Sequence, residues 1–327
     1  MERPGRPSIL FINRVAGGRG GATGRLLDDL ATRLGRAGWS VTILACSPWC
    51  GTGQLRGGGA GPVRTIPVAV PAGRGLGAAA AQVAALGRSA RALPVQDVIV
   101  TASDPPMLPL LAPALKPRAG TLVHWCHDLY PDLLPVVAGR TGALARPVLA
   151  PAVARALAIH DGVVAAGPCI AERLAGRLPG TVPLAVLENW ADPVVRADDP
   201  AGAAWRARLG VGSACVALYA GTLGRVHPKA VLAEAASRLG GRNDIAIVLA
   251  GGADRARLDP ARPGPTPRLL RVPWQPRAAL SGLLAAADLH LALLDPRAEG
   301  MSAPCKVAAS HAARRPVVFA GPAGAGP

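Results

Sequence analysis

Residues 8–44 read SILFINRVAGGRGGATGRLLDDLATRLGRAGWSVTIL, and the order of features along this stretch indicates the fold class. An apolar run that ends at Ile12 is followed by a glycine-rich loop, Gly17–Gly21. Four leucines then recur at helical spacing: Leu26, Leu27, Leu30 and Leu34. A second apolar run, Val41–Leu44, follows. Short apolar runs separated by an amphipathic helix are typical of a β-α-β unit.

Further apolar runs follow along the chain, and helical patterns separate most of them. In the first half these expected strands are Val98–Val100, Thr121–Trp125, Gly162–Val164 and Leu184–Leu187. After the turn-prone residues 189–200, a second series is expected at Cys215–Tyr219, Ala246–Ala250, Leu289–Leu293 and Pro316–Phe319. The helices of this second series are expected at Lys229–Leu239, Arg277–Ala286 and Ala303–Ala313.

We therefore expect an α/β protein with two doubly wound parallel sheets, because strands that are linked by helices lie parallel and are covered on both faces. The domains are predicted at residues 1–190 and 191–327. Such sheets bind ligands beyond the carboxyl ends of their strands, so a cleft between the domains is the expected site. The second domain ends directly after a strand, so we expect it to be incomplete.

The composition indicates a folded, basic protein. The 327 residues are 50% hydrophobic and carry 36 Lys+Arg against 20 Asp+Glu, a net charge of +16, which excludes a disordered chain. Two interpretations of the excess of arginine remain open: attraction to phosphates or to an anionic membrane face, and GC-rich codon usage. No block of about five or more basic residues occurs and aromatic residues are few, so nucleic-acid binding is disfavoured.

Localisation follows from the cysteines and the apolar runs. Six cysteines without a CxxC pair favour a reduced, cytoplasmic compartment. The N-terminal apolar run is too short for a secretion signal, and no run reaches the length of a membrane span. Two helical stretches, Leu76–Leu93 and Arg140–Ile159, carry arginines among alanines and leucines. They are candidates for peripheral contact with the anionic inner membrane face, and an Arg/Ala-rich solvent face is the equally weighted alternative.

Several common sites are excluded by their motifs. No lysine follows a glycine as a Walker A loop requires, and no G-x-S-x-G for a serine nucleophile is present. A dinucleotide fingerprint fails because Thr23 stands where a third glycine belongs. His124 and His127 point to opposite faces of a strand, so we expect no metal site. The Gly17–Gly21 loop is either an anion site or a plain connection.

Three segments remain as candidates for chemistry. In residues 121–132, His127 and Asp128 lie at the carboxyl end of an expected strand, facing the cleft; a helix cap by Asp128 and a surface histidine are the alternative. In residues 217–225, a strand opens into a loop that contains Gly221 and Gly224. Arg225 ends this loop, and its guanidinium suits a diphosphate, unless it forms an ordinary surface ion pair.

The third segment is residues 295–306, which joins a strand to a helix. We expect Pro304 in the first turn of that helix, with free amides at Gly300–Ala303, including that of Ser302, pointing into the cleft. A carboxylate beside an anion site repels phosphate, so Glu299 is expected to contact sugar hydroxyls. Lys306 is in reach of the phosphates. An ordinary capped helix with surface charges is the alternative.

In this order and spacing, the motifs resemble family 4 glycosyltransferases of the GT-B fold, which have two Rossmann-like domains that face a cleft. The likeness runs nearly end to end and is greatest to members that build cell-surface polysaccharides. It is carried by the following segments: residues 21–25 (GATGR), His127-Asp128, residues 187–192 (LENWAD), residues 220–225 (AGTLGR), residues 249–252 (LAGG) and Glu299-Gly300.

The resemblance implies a retaining transferase that moves a sugar from a nucleoside diphosphate sugar to a lipid-linked or glycan acceptor. The first domain would bind the acceptor, with a loop that includes Gly20, Gly21 and Thr23, and the second would bind the nucleotide sugar. Arg225 would hold the diphosphate, and Glu299 would contact the donor sugar. No metal and no cofactor are implied, since the nucleotide sugar is a co-substrate. His127 and Asp128 would line the donor-sugar and acceptor side, and we count them with Glu299 as the catalytic candidates.

The remaining donor-binding candidates are Gly221, Gly224, Gly300, Ser302 and Lys306. Three departures from the family pattern are visible, and the first is the expected incompleteness of the second domain, which lacks the family's last strand-helix units. Ala230 and Val231 occupy the places of the usual diphosphate lysine, and Val307 stands where a second glutamate is usual. Two alternatives therefore remain: a truncated, non-catalytic remnant that binds a nucleotide sugar weakly or not at all, and a sugar-nucleotide epimerase with a similar cleft.

Overall fold

The structure is a computed structural model that describes residues 5–17, 21–47, 63–70, 73, 75–251 and 268–323. The chain divides into two compact units, which are described separately. Unit 1 contains the residues up to Asn189 together with the short segment Gly300–Ala303. Unit 2 contains Trp190–Glu299 and the residues from Pro304 onward.

Unit 1 is built on a parallel sheet. Its strands are β1 (Ser8–Ile12), β2 (Ser40–Ser47), β3 (Val63–Ala69), β4 (Gln96–Ala102), β5 (Ala119–Cys126), β6 (Gly162–Ala165) and β7 (Leu184–Val186). The sheet order is β3-β2-β1-β4-β5-β6-β7, and each neighbouring pair is parallel. The order reverses between β1 and β4, so their carboxyl ends form the place where such sheets bind ligands.

Helices connect these strands and cover both faces of the sheet. They are α1 (Gly21–Arg36), α2 (Leu76–Arg91), α3 (Ala112–Leu115), α4 (Leu134–Leu157) and α5 (Pro168–Ala175). On one face, Leu10, Leu86 and Leu122 belong to a fully buried apolar layer. On the same face, Val163 packs with Val153 of α4 and with α5. On the other face, Phe11 and Ile43 are buried as well. Burial on both faces explains why the central strands are short, nearly continuous apolar runs.

Unit 2 repeats this architecture on a smaller scale. Its strands are β8 (Cys215–Ala220), β9 (Ile245–Ala250), β10 (Arg268–Val272), β11 (Leu289–Leu293) and β12 (Val317–Ala320). Its helices are α6 (Ala201–Leu209), α7 (Lys229–Arg238), α8 (Leu280–Ala285) and α9 (Lys306–Ala312). The sheet order is β10-β9-β8-β11-β12, with parallel neighbours. Leu218 packs into one core layer and Tyr219 into the other, as the two-residue repeat of a strand requires.

The predicted fold class is confirmed: the chain forms two parallel α/β sheets in separate units. Two strands were not predicted, β3 and β10, and both lie at sheet edges. The expected helix at Ala303–Ala313 was wrong at its start, because α9 begins at Lys306 and leaves Pro304 outside. Among the described residues, no helix is long and apolar enough to cross a membrane.

Candidate functional site

The carboxyl ends of β4 and β5 hold the histidine and aspartate that the sequence singled out. His127 and Asp128 follow β5 directly, and Ser103 follows β4, its neighbour in the sheet. The Ser103 hydroxyl accepts hydrogen bonds from the backbone N–H groups of His127 (3.1 Å) and Asp128 (3.0 Å). Ser103 therefore fixes the backbone that carries both candidates. Sequence reasoning missed it, since a lone serine after a strand carries no pattern.

Asp128 is held by the segment Gly300–Ala303, which packs within unit 1. The Ser302 hydroxyl donates to the Asp128 carboxylate at 2.6 Å, and the backbone N–H of Leu129 donates to the carbonyl of Met301 at 2.7 Å. Burial raises the pKa of Asp128 to about 6, although the hydrogen bond from Ser302 opposes this shift. A carboxylate with a pKa near neutral pH is suited to exchanging a proton with a substrate.

These contacts correct one expectation about the segment. Free amides were expected at Gly300–Ala303, at the start of a helix whose first turn contains Pro304. Instead α9 begins at Lys306 and has seven residues, and the segment pairs with residues 128–129 through a bridge between Asp128 and Ser302. Proline at 304 lacks an N–H, and the chain turns there before the helix starts.

His127 is buried, with 6% of its surface exposed. Its ring lies against that of Trp125, with 4.3 Å between the centroids. Burial lowers its pKa to about 4, so the ring is neutral at physiological pH. Among the described residues, neither ring nitrogen has a hydrogen-bond partner. Unsatisfied buried polar groups are costly and uncommon, so these nitrogens are candidates for contact with a substrate.

A narrow crevice, too tight for a water molecule, lies at the carboxyl end of β1, beside Trp125. Asn13, Thr23 and Trp125 contribute to its lining, together with apolar side chains of β1 and α1. The side-chain oxygen of Asn13 also lacks a hydrogen-bond partner among the described residues. Thr23 and Gly21 lie in the first turn of α1, whereas Gly20, the third residue predicted for this loop, falls outside the described residues.

In unit 2, the loop after β8 meets the start of α9. Gly221 has a φ of 135°, a conformation that favours glycine, and a Cβ there would lie 2.8 Å from Cε of Lys306. The Lys306 ammonium lies 4.7 Å from the centre of the Tyr219 ring. It also lies 3.5 Å from Nε2 of His227. The structure thus brings together two predicted donor-binding residues, Gly221 and Lys306, in unit 2.

His227 is the residue that sequence reasoning missed in this loop. The backbone N–H of Gly224 donates to its Nδ1 at 3.0 Å, so the proton of the neutral ring is on Nε2. Burial and the nearby Lys306 charge lower the pKa of His227 to about 4, which keeps the ring neutral. The Nε2–H therefore faces an ammonium that also only donates. Two such donors side by side favour an anionic oxygen between them.

Arg225 and Glu299 lie on neighbouring loops of unit 2. The backbone N–H of Asp295 donates to the carbonyl of Val226 at 2.8 Å and ties the loop after β11 to the loop that carries Arg225. Arg225 is exposed, and Glu299 is partly buried where the short 3₁₀ turn Pro296–Ala298 ends. Among the described residues, no group of three or more His, Cys, Asp or Glu side chains is arranged to hold a metal ion.

Comparisons with known proteins agree with this architecture. The glycosyl transferase 4-like domain family matches residues 21–190, which is more than half of the chain. A search among curated proteins finds no match.

Three solved structures illustrate the likeness of the fold. HepE of Anabaena in complex with UDP-glucose has a TM-score of 0.65 and 20% identity, over 96% of this chain and 81% of that one. Sucrose-phosphate synthase from Thermosynechococcus elongatus has a TM-score of 0.68 and 17% identity, over 96% and 81%. WaaG, a glycosyltransferase involved in lipopolysaccharide biosynthesis, has a TM-score of 0.68 and 17% identity, over 95% and 80%. With the match over residues 21–190, the chain belongs to the family 4 glycosyltransferases of the GT-B fold.

Proposed function

We propose that this glycosyltransferase is a retaining enzyme of cell-surface polysaccharide synthesis, which moves a sugar from a nucleoside diphosphate sugar to a lipid-linked or glycan acceptor. The observation that supports binding of the nucleotide sugar is a pair of hydrogen-bond donors in unit 2, the Nε2–H of His227 and the ammonium of Lys306. Such a pair suits the oxygens of a diphosphate. HepE, one of the similar structures, was solved with UDP-glucose.

The donor would be held by unit 2, the proposed role of residues 191–327. Gly221 and Gly224 let the diphosphate approach the backbone, Arg225 neutralises its charge, and Lys306 adds a second cation. Gly300 and Ser302, which lie in the segment packed within unit 1, remain proposed donor contacts. Glu299 would accept hydrogen bonds from hydroxyls of the sugar. No metal and no cofactor enter this proposal, since the cations and backbone amides meet the phosphate charge.

The acceptor would be held by unit 1, the proposed role of residues 1–190. Gly20, Gly21 and Thr23 would line its site, and His127 and Asp128 would face the reacting groups. In the transfer step, the acceptor oxygen bonds to the anomeric carbon while the bond from that carbon to the diphosphate breaks. The electron pair of the broken bond stays on the diphosphate, and the hydroxyl proton passes to the departing oxygen on the same face of the sugar.

The location proposed for this reaction is the cytoplasmic side of the inner membrane, with peripheral contact between the protein and anionic lipids. A lipid-linked acceptor is held in the membrane plane, so contact with that surface raises the rate of encounter.

The test is transfer of radiolabelled sugar from UDP- and GDP-sugars to a lipid extract, combined with two variants. Arg225→Ala should weaken nucleotide binding by roughly 1.5–3 kcal/mol, the range for hydrogen bonds to charged groups. Glu299→Gln should leave nucleotide affinity within about threefold but slow transfer at least ~100-fold, because it misplaces the sugar. Wild-type transfer by Glu299→Gln would show that its assignment is wrong. Nucleotide binding without transfer by the parent would favour the non-catalytic remnant.

A further inference from the structure

Helix α4 carries the two most exposed large apolar side chains among the described residues. Leu144 is 77% exposed and Val148 is 73% exposed, and they lie one helical turn apart. By contrast, large apolar residues of unit 1 such as Leu86 and Leu157 are buried in its apolar clusters. An exposed apolar pair on one helix is therefore a candidate interaction surface.

The neighbours of this pair form one continuous face. Gly139 has a φ of 58° and a ψ of −135°, so a new helical segment starts after it. At 100° per residue, Arg140, Leu144, Val148, Pro151 and Arg155 fall within about 80° of the helix circumference. All five are exposed. We call these five residues the α4 face; it is about 22 Å long, with apolar residues in the middle and an arginine at each end.

The charge of α4 is of one sign. Residues 134–157 contain three arginines and no acidic residue. Arg146, which lies off the α4 face, pairs with the buried carboxylate of Asp132 at 2.9 Å. The other two arginines, Arg140 and Arg155, belong to the face itself. The opposite side of the helix is anchored in unit 1 by Val153 and Leu157, so the α4 face is presented on a fixed support.

We propose that the α4 face docks this protein on an anionic lipid surface. Leu144 and Val148 would enter the boundary between headgroups and acyl chains, and Arg140 and Arg155 would contact lipid phosphates. A helix that is apolar along its centre and basic at its rim matches the two layers of such a surface. The biological role of the contact rests on the proposed function, because it would bring the acceptor-binding unit to a lipid-linked substrate.

A second copy of the chain fits this face less well. Two α4 faces that pair antiparallel would place Arg140 of one copy beside Arg155 of the other, and like charges repel across an interface. An anionic lipid surface carries the opposite charge along its whole extent, so both ends of the face gain from it.

Helix α2 provides a matched control, because it is basic without an apolar centre. Its residues Ala80, Ala84, Arg88 and Arg91 have the same spacing as the first four residues of the α4 face and are also exposed. Leu86, a large apolar residue of α2, is buried, and Leu76 and Val83 are partly buried. This face resembles the Arg/Ala-rich solvent surface that was the alternative for both stretches. We therefore expect it to contribute little to lipid binding.

The experiment is co-sedimentation with vesicles of phosphatidylcholine and phosphatidylglycerol in equal parts, compared with phosphatidylcholine alone. Leu144→Ser/Val148→Ser should lower the partition coefficient on the anionic vesicles about tenfold or more, through loss of apolar burial. Arg140→Ser/Arg155→Ser should do the same through loss of two charges. Arg88→Ser/Arg91→Ser removes two charges elsewhere and should change the partition coefficient less than about twofold.

Three results would overturn the inference. The first is a parent protein that fails to bind the anionic vesicles, and the second is an equal loss in the α2 and α4 arginine variants. The third is self-association in analytical ultracentrifugation that Leu144→Ser/Val148→Ser abolishes while vesicle binding is unchanged. Calorimetry with UDP and GDP on the same samples separates this inference from the proposed function. Nucleotide binding without vesicle binding contradicts only the docking surface, and vesicle binding without nucleotide binding contradicts only the donor site.

Discussion

The two ring nitrogens of His227 have different roles, which substitutions can separate: Nδ1 accepts the Gly224 N–H, and we propose that the Nε2–H contacts phosphate. Asparagine places an acceptor near the position of Nδ1, so His227→Asn should keep the bond from the Gly224 N–H and lose the Nε2–H donor. Glutamine places its amide nitrogen near the position of Nε2. We expect His227→Asn to weaken UDP or GDP binding by about 1–2 kcal/mol and His227→Gln to stay within about threefold of the parent. Calorimetry of the two variants measures this difference, and equal losses in both would show that the Nε2–H contacts no phosphate.

Asp128 should make the stability of the protein depend on pH. Its pKa is about 6 in the folded state, against 3.8 for an ordinary aspartate, because burial disfavours the charged form. Between about pH 4 and pH 6 the folded state holds more protons than the unfolded state, so stability falls as the pH rises through this range. Asp104 adds to the shift and Ser302 opposes it.

Asp128→Asn mimics the protonated form and keeps an acceptor for the Ser302 hydroxyl. We expect this variant to be more stable than the parent above about pH 6, by roughly 1–3 kcal/mol, and equally stable below about pH 4. Urea denaturation at both ends of the range measures the difference. A constant difference across the range would mean that the carboxyl of Asp128 titrates normally.

The residues found by sequence and those missed differ in a physical way. Gly221 and Lys306 were predicted because a glycine after a strand and a cation near the start of a helix are local patterns. Ser103 and His227 were missed because their roles depend on contacts with the backbone of other residues, at 3.0 and 3.1 Å for Ser103. A single serine or histidine has no pattern until the chain is folded.

At the scale of elements, α4 depends on a close approach between Gly142 and the backbone of Leu134. A Cβ on Gly142 would lie 2.0 Å from the carbonyl oxygen of Leu134, which belongs to the segment before Gly139. Because the obstacle is backbone, Gly142→Ala should destabilise the protein by about 1–3 kcal/mol. Gly77 in α2 is the control, since a Cβ there meets nothing within 4 Å. Gly77→Ala should stabilise by about 0.5–1 kcal/mol through helix propensity.

Thermal unfolding of the two alanine variants checks this contrast, since their mutations are chemically identical. Equal melting temperatures would contradict the close approach at Gly142.

The same helix shows the limit of what hydrophobic periodicity can predict. Pro147 and Pro151 lie inside α4 although proline usually ends a helix, and Gly139 interrupts it. The expected stretch Arg140–Ile159 covered its second segment but not the one before Gly139.

The strands that were predicted and those that were missed differ in their place in the sheet. Central strands such as β1 and β9 are buried on both faces, so they are apolar runs that sequence analysis recognises. β3 lies at an edge and contains Arg64 and Pro67, because an edge strand need not bury both faces or donate every N–H. The predicted start of α9 was wrong by three residues. The preceding segment, Gly300–Ala303, belongs to unit 1 and pairs there with Asp128, so the helix begins only after it.

At the scale of the whole molecule, the repetition of strand and helix was enough to predict two parallel sheets. Each unit has its own sheet and its own core layers, and the change of unit between Asn189 and Trp190 falls at the start of a turn-prone stretch. The repetition of strand and helix could not predict the activity, because many unrelated activities share such sheets. The motifs and the match over residues 21–190 supply it.

The positive charge of the molecule leads to a prediction about metal dependence. A net charge of +16 attracts anions, and in unit 2 Arg225, Lys306 and the Nε2–H of His227 are hydrogen-bond donors that we propose for the diphosphate. We expect UDP or GDP to bind with affinities that agree within about threefold in EDTA and in Mg²⁺. Lys306→Met should weaken binding in EDTA by roughly 1.5–3 kcal/mol, since it keeps the length of the side chain and removes its charge. Calorimetry in both buffers measures both effects. Strict dependence of nucleotide binding by the parent on Mg²⁺ would show that these side chains do not neutralise the diphosphate charge. Partial rescue of Lys306→Met by Mg²⁺ would support their role, because the ion then supplies the missing charge.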